Sequence, residues 1–295
     1  MTAPVLADAL GPRGRRQARV ASAVAAVVIG VCVVVAVRRL DSNGQFDADL
    51  YRPFTEWAAV RFYLVGLVNT LKVAALAMVL AMAIGVLMAL LRLTRSRLLK
   101  LLATVYVEFF RGLPLYLLII FCAFALPRYG FNISLLTALA LGLVVYNSAI
   151  LGEVFRAGVL SLDRGQSEAA YAIGLGYWQT MGFVLVPQAA RRMLPAIVSQ
   201  LVTLLKDTSL GVVIAYEELL RRSQIAAEFF KNPLQSVVFA AILYIIINYA
   251  LSRLARWLEV RQRRRLGAGA IEVAGAGEDL AVVGAQADAV TTARA

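Results

Sequence analysis

Four groups of polar residues interrupt the apolar runs of this 295-residue chain. Asn69-Thr70 is the first, and Glu108 with Arg111 the second. Tyr146, Glu153 and Arg156 make the third, and Gln200, Thr203, Lys206 and Asp207 the fourth. Residues three, four or seven apart share a helical face. An ionisable side chain at bilayer depth costs about 3 kcal/mol on insertion scales, so such groups turn towards a bundle interior or a cavity. Two readings follow. Glu108–Arg111, Glu153–Arg156 and Lys206–Asp207 could each be a self-satisfied pair that holds helices in register. Alternatively, the groups line a path for a solute carrying both signs of charge. On that reading Glu153 receives an ammonium and Arg111 or Lys206 a carboxylate. Asn69, Thr70, Tyr146 and Asp207 then supply further partners, unless Thr70 simply bonds back to its own helix.

The chemistry on offer is binding rather than bond-making. The chain has no histidine and no G-x-S-x-G sequence, so a Ser-His pair or an ordinary zinc site lacks its ingredients. Uphill transport needs an ion gradient or a nucleotide. A nucleotide site needs a glycine-rich loop ending in Gly-Lys-Ser/Thr. The four lysines read Lys72-Val73, Lys100-Leu101, Lys206-Asp207 and Lys231-Asn232. No cofactor is expected on this chain, and ATP and Mg would have to be held by a partner subunit.

Composition sets the surroundings. Hydrophobic residues make up 61%, charged residues 16%, and mean hydropathy is +0.75, which places the chain in lipid. The net charge of +12 does not indicate nucleic acid, because the basic residues sit at the ends of apolar runs rather than in one patch. The pattern predicts an all-α, polytopic protein of six spans. Residues 1–18 form a basic tail. Residues 19–61 hold a retained first helix, about Val20 to Val37, and a polar outer segment. Further helices are expected over about 62–91, 101–126 (broken around Glu108–Pro114), 134–155, 194–215 and 235–257. Ala77, Ala81, Gly85 and Ala89 recur every four residues, a spacing that lets membrane helices approach closely. Cys32 and Cys122 lie within apolar runs and are read as free thiols. Residues 266–295 lack a core-forming period and are read as a mobile tail.

Arginine and lysine set the orientation. Eighteen of them flank one set of helix ends: Arg13 to Arg19, Arg92 to Lys100, Arg156 to Arg192 and Arg253 to Arg265. Eight flank the other: Arg38, Arg39, Arg52, Arg61, Arg128, Arg221, Arg222 and Lys231. The richer side is expected to be cytoplasmic, with both termini. The longest polar stretch of the second half, Asp163 to Pro195, faces that same side. Ser167-Glu168 reads as a helix start, Gly174 and Gly176 as breaks, and Pro187 as the stop of a second short helix.

Glu168-Ala169-Ala170, three residues, Gly174, nine residues, then Val184-Leu185-Val186-Pro187 resembles the cytoplasmic E-A-A loop of ABC-importer permeases. Gly174 to Thr180, Leu185 to Ala189 and Leu205 to Leu210 resemble its polar amino-acid subgroup, as do Glu108 to Pro114 and Tyr146 to Gly158. The segments around Asn43 to Gln45, Pro53-Phe54 and Tyr146-Asn147 look most like actinobacterial glutamate-type permeases. The resemblance implies a type I importer permease with its core in residues 62–265 and its coupling loop at 163–192. It also implies two cytosolic ATPase subunits, a second permease, an external solute-binding protein and transport of a polar amino acid, with glutamate the expected one, across the cytoplasmic membrane. Glu168, Ala169, Ala170, Gly174, Trp178 and Pro187 would carry the coupling. Asn69, Thr70, Glu108, Arg111, Tyr146, Glu153, Arg156, Gln200, Thr203, Lys206 and Asp207 are the path candidates. A stand-alone secondary transporter or channel is the competing reading.

Overall fold

The computed structural model describes residues 11–254, 256 and 257. Residues 1–10 of the basic tail and all of the 266–295 tail lie outside them. Among the described residues nine helices follow one another, besides a 3-10 helix at Ala48–Thr55: α1 Pro12–Ser42, α2 Trp57–Leu93, α3 Arg97–Gly112, α4 Leu115–Arg128, α5 Leu135–Leu160, α6 Arg164–Ala172, α7 Tyr177–Ile214, α8 Leu219–Phe230 and α9 Pro233–Leu254. Five of them, α1, α2, α5, α7 and α9, are long and apolar enough to cross a membrane. The pair α3 and α4, bent by 100°, is a sixth candidate when counted as one broken span. The bend falls at Leu113-Pro114, where proline cannot donate to a helix and keeps the preceding residue extended.

The core forms where α2 crosses α5. Ala77 and Ala81 are fully buried, and Gly85 and Ala89 are buried beside them. A Cβ on Gly85 would lie 2.9 Å from the Leu151 Cβ and 3.1 Å from the Gly152 nitrogen, so the two backbones are in contact there. Val73, Leu139, Leu143, Leu151 and Leu204 fill the space around this crossing. By contrast α1 presents its apolar residues outward on every face, as suits a helix surrounded by lipid. Both thiols are free, Cys32 exposed on α1 and Cys122 buried in α4.

Three expectations are corrected. Pro187 does not end a helix. Residues Thr180–Leu185 open into a π-helical turn that absorbs the hydrogen bond the proline cannot make, and α7 continues through Pro187 and Pro195 to Asp207 and a terminal 3-10 turn. The fifth span therefore begins well before residue 194. Ser167 does not cap α6. Asp163 does, its Oδ1 accepting from the Gly165 amide at 2.7 Å, while Ser167 donates to the Arg164 carbonyl from inside the helix. Finally, the connection after α7 contains the helix α8. Glu218 caps it, accepting from the Leu220 and Arg221 amides at 2.8 and 2.7 Å.

Candidate functional site: coupling loop and polar path

The loop between α5 and α7 projects α6 and a sharp turn. Gly174 has φ +86°, a conformation costly to other residues, and a Cβ there would meet nothing within 4 Å. Backbone conformation, not space, calls for glycine. Its amide donates to the Tyr171 carbonyl at 2.9 Å and the Leu175 amide to the Ala170 carbonyl at 3.1 Å, the two bonds of a Schellman ending. Ala170 faces inward and is buried, whereas Glu168, Ala169 and Pro187 are exposed. Ile173, Trp178 and Phe183 are 78%, 55% and 77% exposed, so the loop presents large apolar side chains at its surface.

The loop is tied back at three places. Gln188 Nε2 donates to Gln166 Oε1 at 3.0 Å, and Arg192 Nη1 to the Ser161 carbonyl at 2.8 Å. The Tyr177 hydroxyl donates to the carbonyl of Leu93, the last residue of α2. The Arg95 guanidinium lies 5.1 Å from the Tyr177 ring centroid.

One residue before Leu93, Arg92 organises the largest ionic group. Its Nη1 lies 2.6 Å from Glu153 Oε2 and its Nη2 lies 3.4 Å from Glu108 Oε1. Arg156 Nη2 meets Glu153 Oε1 at 2.6 Å, and Arg111 meets Glu108 at 3.9 Å. Both predicted pairs exist, but Arg92 fuses them. Its side chain is only 9% exposed, so most of it has left solvent. In the sequence Arg92 reads only as an orienting charge. It is distant along the chain from both carboxylates, and no spacing rule reaches that far.

The remaining candidates separate. Gln200 Nε2 donates to Asn147 Oδ1 at 2.7 Å, so the buried Asn147, rather than Tyr146, makes the polar link from α5 to α7. Tyr146 packs against the core. Thr70 does not bond back to its own helix: its Oγ1 accepts from the Leu219 amide at 3.1 Å, and Asn69 donates to the Glu217 carbonyl at 2.9 Å. Together they grip the start of α8. Thr203 donates to Ser199 within α7. Lys206 and Asp207 do not form an ion pair, since successive residues on a helix diverge by about 100°. Lys206 is exposed and borders a cavity of about 660 Å³ between α7 and α9, with Ser209, Tyr244, Asn248, Ser252 and Arg256. Asp207 is half-buried. No local spacing marks Glu218, which is fully buried and accepts from the Tyr244 hydroxyl at 2.7 Å.

Residues 81–264 match the family described as binding-protein-dependent transport system inner membrane component. The chain belongs to this family. It is a multi-pass protein of the cytoplasmic membrane and falls with the ABC permeases for polar amino acids. A probable glutamine ABC transporter permease of Bacillus subtilis is 44% identical over 204 residues, covering 67% of this permease and 92% of its own length. A glutamate transport system permease of Corynebacterium glutamicum is 37% identical over 229 residues, 76% and 84% of the two chains. Among solved structures, a crystal structure of an amino acid ABC transporter with histidines superposes with a TM-score of 0.66. It has 30% identity and covers 68% of this permease and 94% of that chain. An alginate ABC transporter shares the fold at a TM-score of 0.56 and 11% identity.

Proposed function

We propose that this permease forms the membrane path of an ATP-driven importer for glutamate or its close polar relatives, and that residues 163–192 receive the force of cytosolic ATPase subunits. The observation that carries this reading is the knob: a capped helix, a Schellman turn at Gly174, and exposed Ile173 and Trp178 on a loop tied to the ends of two spans. A second permease subunit, two ATPases and an external solute-binding protein complete the assembly, in keeping with the relatives' family. The glutamate preference rests on the Corynebacterium relative and on residues 43–54 and 146–147. The more similar Bacillus relative is named for glutamine, so the two amide and acid forms are the substrates to compare.

Gly174→Asp introduces a charge and a strained φ at the knob without meeting any neighbour in the permease itself. The protein should insert and fold, yet lose the ATPase subunit on purification and lose uptake. Glu168→Lys should do the same. Retention of the ATPase with normal uptake in both variants would remove the loop from the coupling role. Competition between labelled L-glutamate and unlabelled L-glutamine decides the substrate preference.

A further inference from the structure

The end of α2 touches the coupling loop on one side and the ionic group on the other. On the loop side, the Tyr177 hydroxyl holds the Leu93 carbonyl, one of the carbonyls a helix end leaves without an internal partner. On the other, the adjacent Arg92 holds Glu153 of α5 and Glu108 of α3. Beside the first turn of α7, a cavity of about 350 Å³ opens between α2, α5 and α7, bordered by Leu90, Leu93, Phe155, Trp178, Met181 and Met193. The first turn of α7 therefore has space on its inner side. The turn after it, Thr180–Leu185, is π-helical and contains Gly182. Thr180 is fully buried, and its Oγ1 has no hydrogen-bond partner. An unpaired buried hydroxyl is costly, and π-helical turns recur where a helix must change shape. The segment is thus poorly satisfied where it stands and has room to shift.

We propose that Tyr177 and Arg92 are positioning residues that form a relay from the coupling loop to the ionic group. The loop pivots in the Thr180–Leu185 turn. Tyr177 carries the end of α2 with it, and Arg92 then withdraws from Glu153 and Glu108, loosening the contact between α2, α3 and α5. Neither residue needs to touch the ATPase or the amino acid. The relay rests on the reading of residues 163–192 as the ATPase-docking loop, and Gly174→Asp tests that reading separately.

The test uses the complete importer in proteoliposomes, with its ATPase and solute-binding partners, and reads the labelled L-glutamate or L-glutamine imported per ATP hydrolysed. Tyr177→Phe removes one oxygen and keeps the ring over Arg95. It should leave ATPase binding and hydrolysis unchanged while lowering import per ATP about fivefold, the factor that one hydrogen bond of ordinary net strength supports. Arg92→Lys, which keeps the charge but cannot hold two carboxylates in a fork, should lower the same ratio. The double variant should be no worse than the poorer single one, because both break one chain of contacts. An unchanged ratio in Tyr177→Phe overturns the relay, as do multiplicative defects in the double variant. Loss of the ATPase from Tyr177→Phe also overturns it, by making Tyr177 a docking residue. A merely structural role would lower the melting temperature without changing import per ATP.

Discussion

At the scale of single residues, Glu153 shows how position alters a reading. The spacing to Arg156 made a pair foreseeable, and the pair is present at 2.6 Å. Arg92 was not foreseeable, and it occupies the other carboxylate oxygen. With a guanidinium on each oxygen, Glu153 meets an ammonium only when one of them leaves. Truncation would leave Arg92, whose side chain is almost out of solvent, with only its longer contact to Glu108 at 3.4 Å. Glu153→Ala should therefore lower stability by about 2 kcal/mol, between the values for exposed and buried pairs. Glu153→Asp, which keeps the charge, should lose less. Thermal unfolding of the purified permease measures both, and equal losses would mean the ion pairs contribute nothing to the fold. Thr70 offers a cleaner case. Thr70→Val leaves the buried Leu219 amide without an acceptor and should cost about 1–3 kcal/mol. Thr70→Ser should restore it, and equal melting of the two variants would contradict the role given to the hydroxyl.

At the scale of elements, two glycines do different work. Gly85 is needed for space, since any Cβ would press on Leu151 and the Gly152 backbone. Gly174 is needed for its φ, with open surroundings. Gly85→Leu should thus prevent a stable fold, whereas Gly174→Ala should cost about 1–3 kcal/mol and leave the helix bundle intact. Circular dichroism melts of both variants in detergent separate these outcomes, and similar losses would be evidence against the distinction. The spans, the stripe from Ala77 to Ala89 and the break at Pro114 were legible because each is written in local spacing. The run of α7 through Pro187 was not, because proline's usual effect is to stop a helix and only the π-helical turn before it relieves the lost hydrogen bond. Helix α8 was equally hidden. Its cap is Glu218, an acid buried against Tyr244 from a helix whose approach no local rule describes. Of the candidate path, the ionic cluster was half legible. Asn69 and Thr70, read from the sequence as path candidates, bind the start of α8.

At the scale of the whole molecule, the eighteen-to-eight distribution of basic residues predicts that residues 163–192 face the cytoplasm. With Cys32 replaced by serine, a cysteine at Gln166 should resist an impermeant thiol reagent applied outside intact cells, and one at Gln45 should react. Reversed labelling would place the loop on the wrong side for an ATPase. The central claim, that this permease moves a polar amino acid only when ATP is hydrolysed by partners gripping residues 163–192, is tested most directly by uptake into proteoliposomes. Labelled L-glutamate and L-glutamine are offered to vesicles holding the permease pair, the ATPase and the solute-binding protein, with ATP on the loop side. Uptake should require all components, should stop when ATP is replaced by a non-hydrolysable analogue, and should be abolished by Gly174→Asp. Uptake of the same magnitude by the permease alone, without ATP, would contradict the account and make the chain a transporter in its own right.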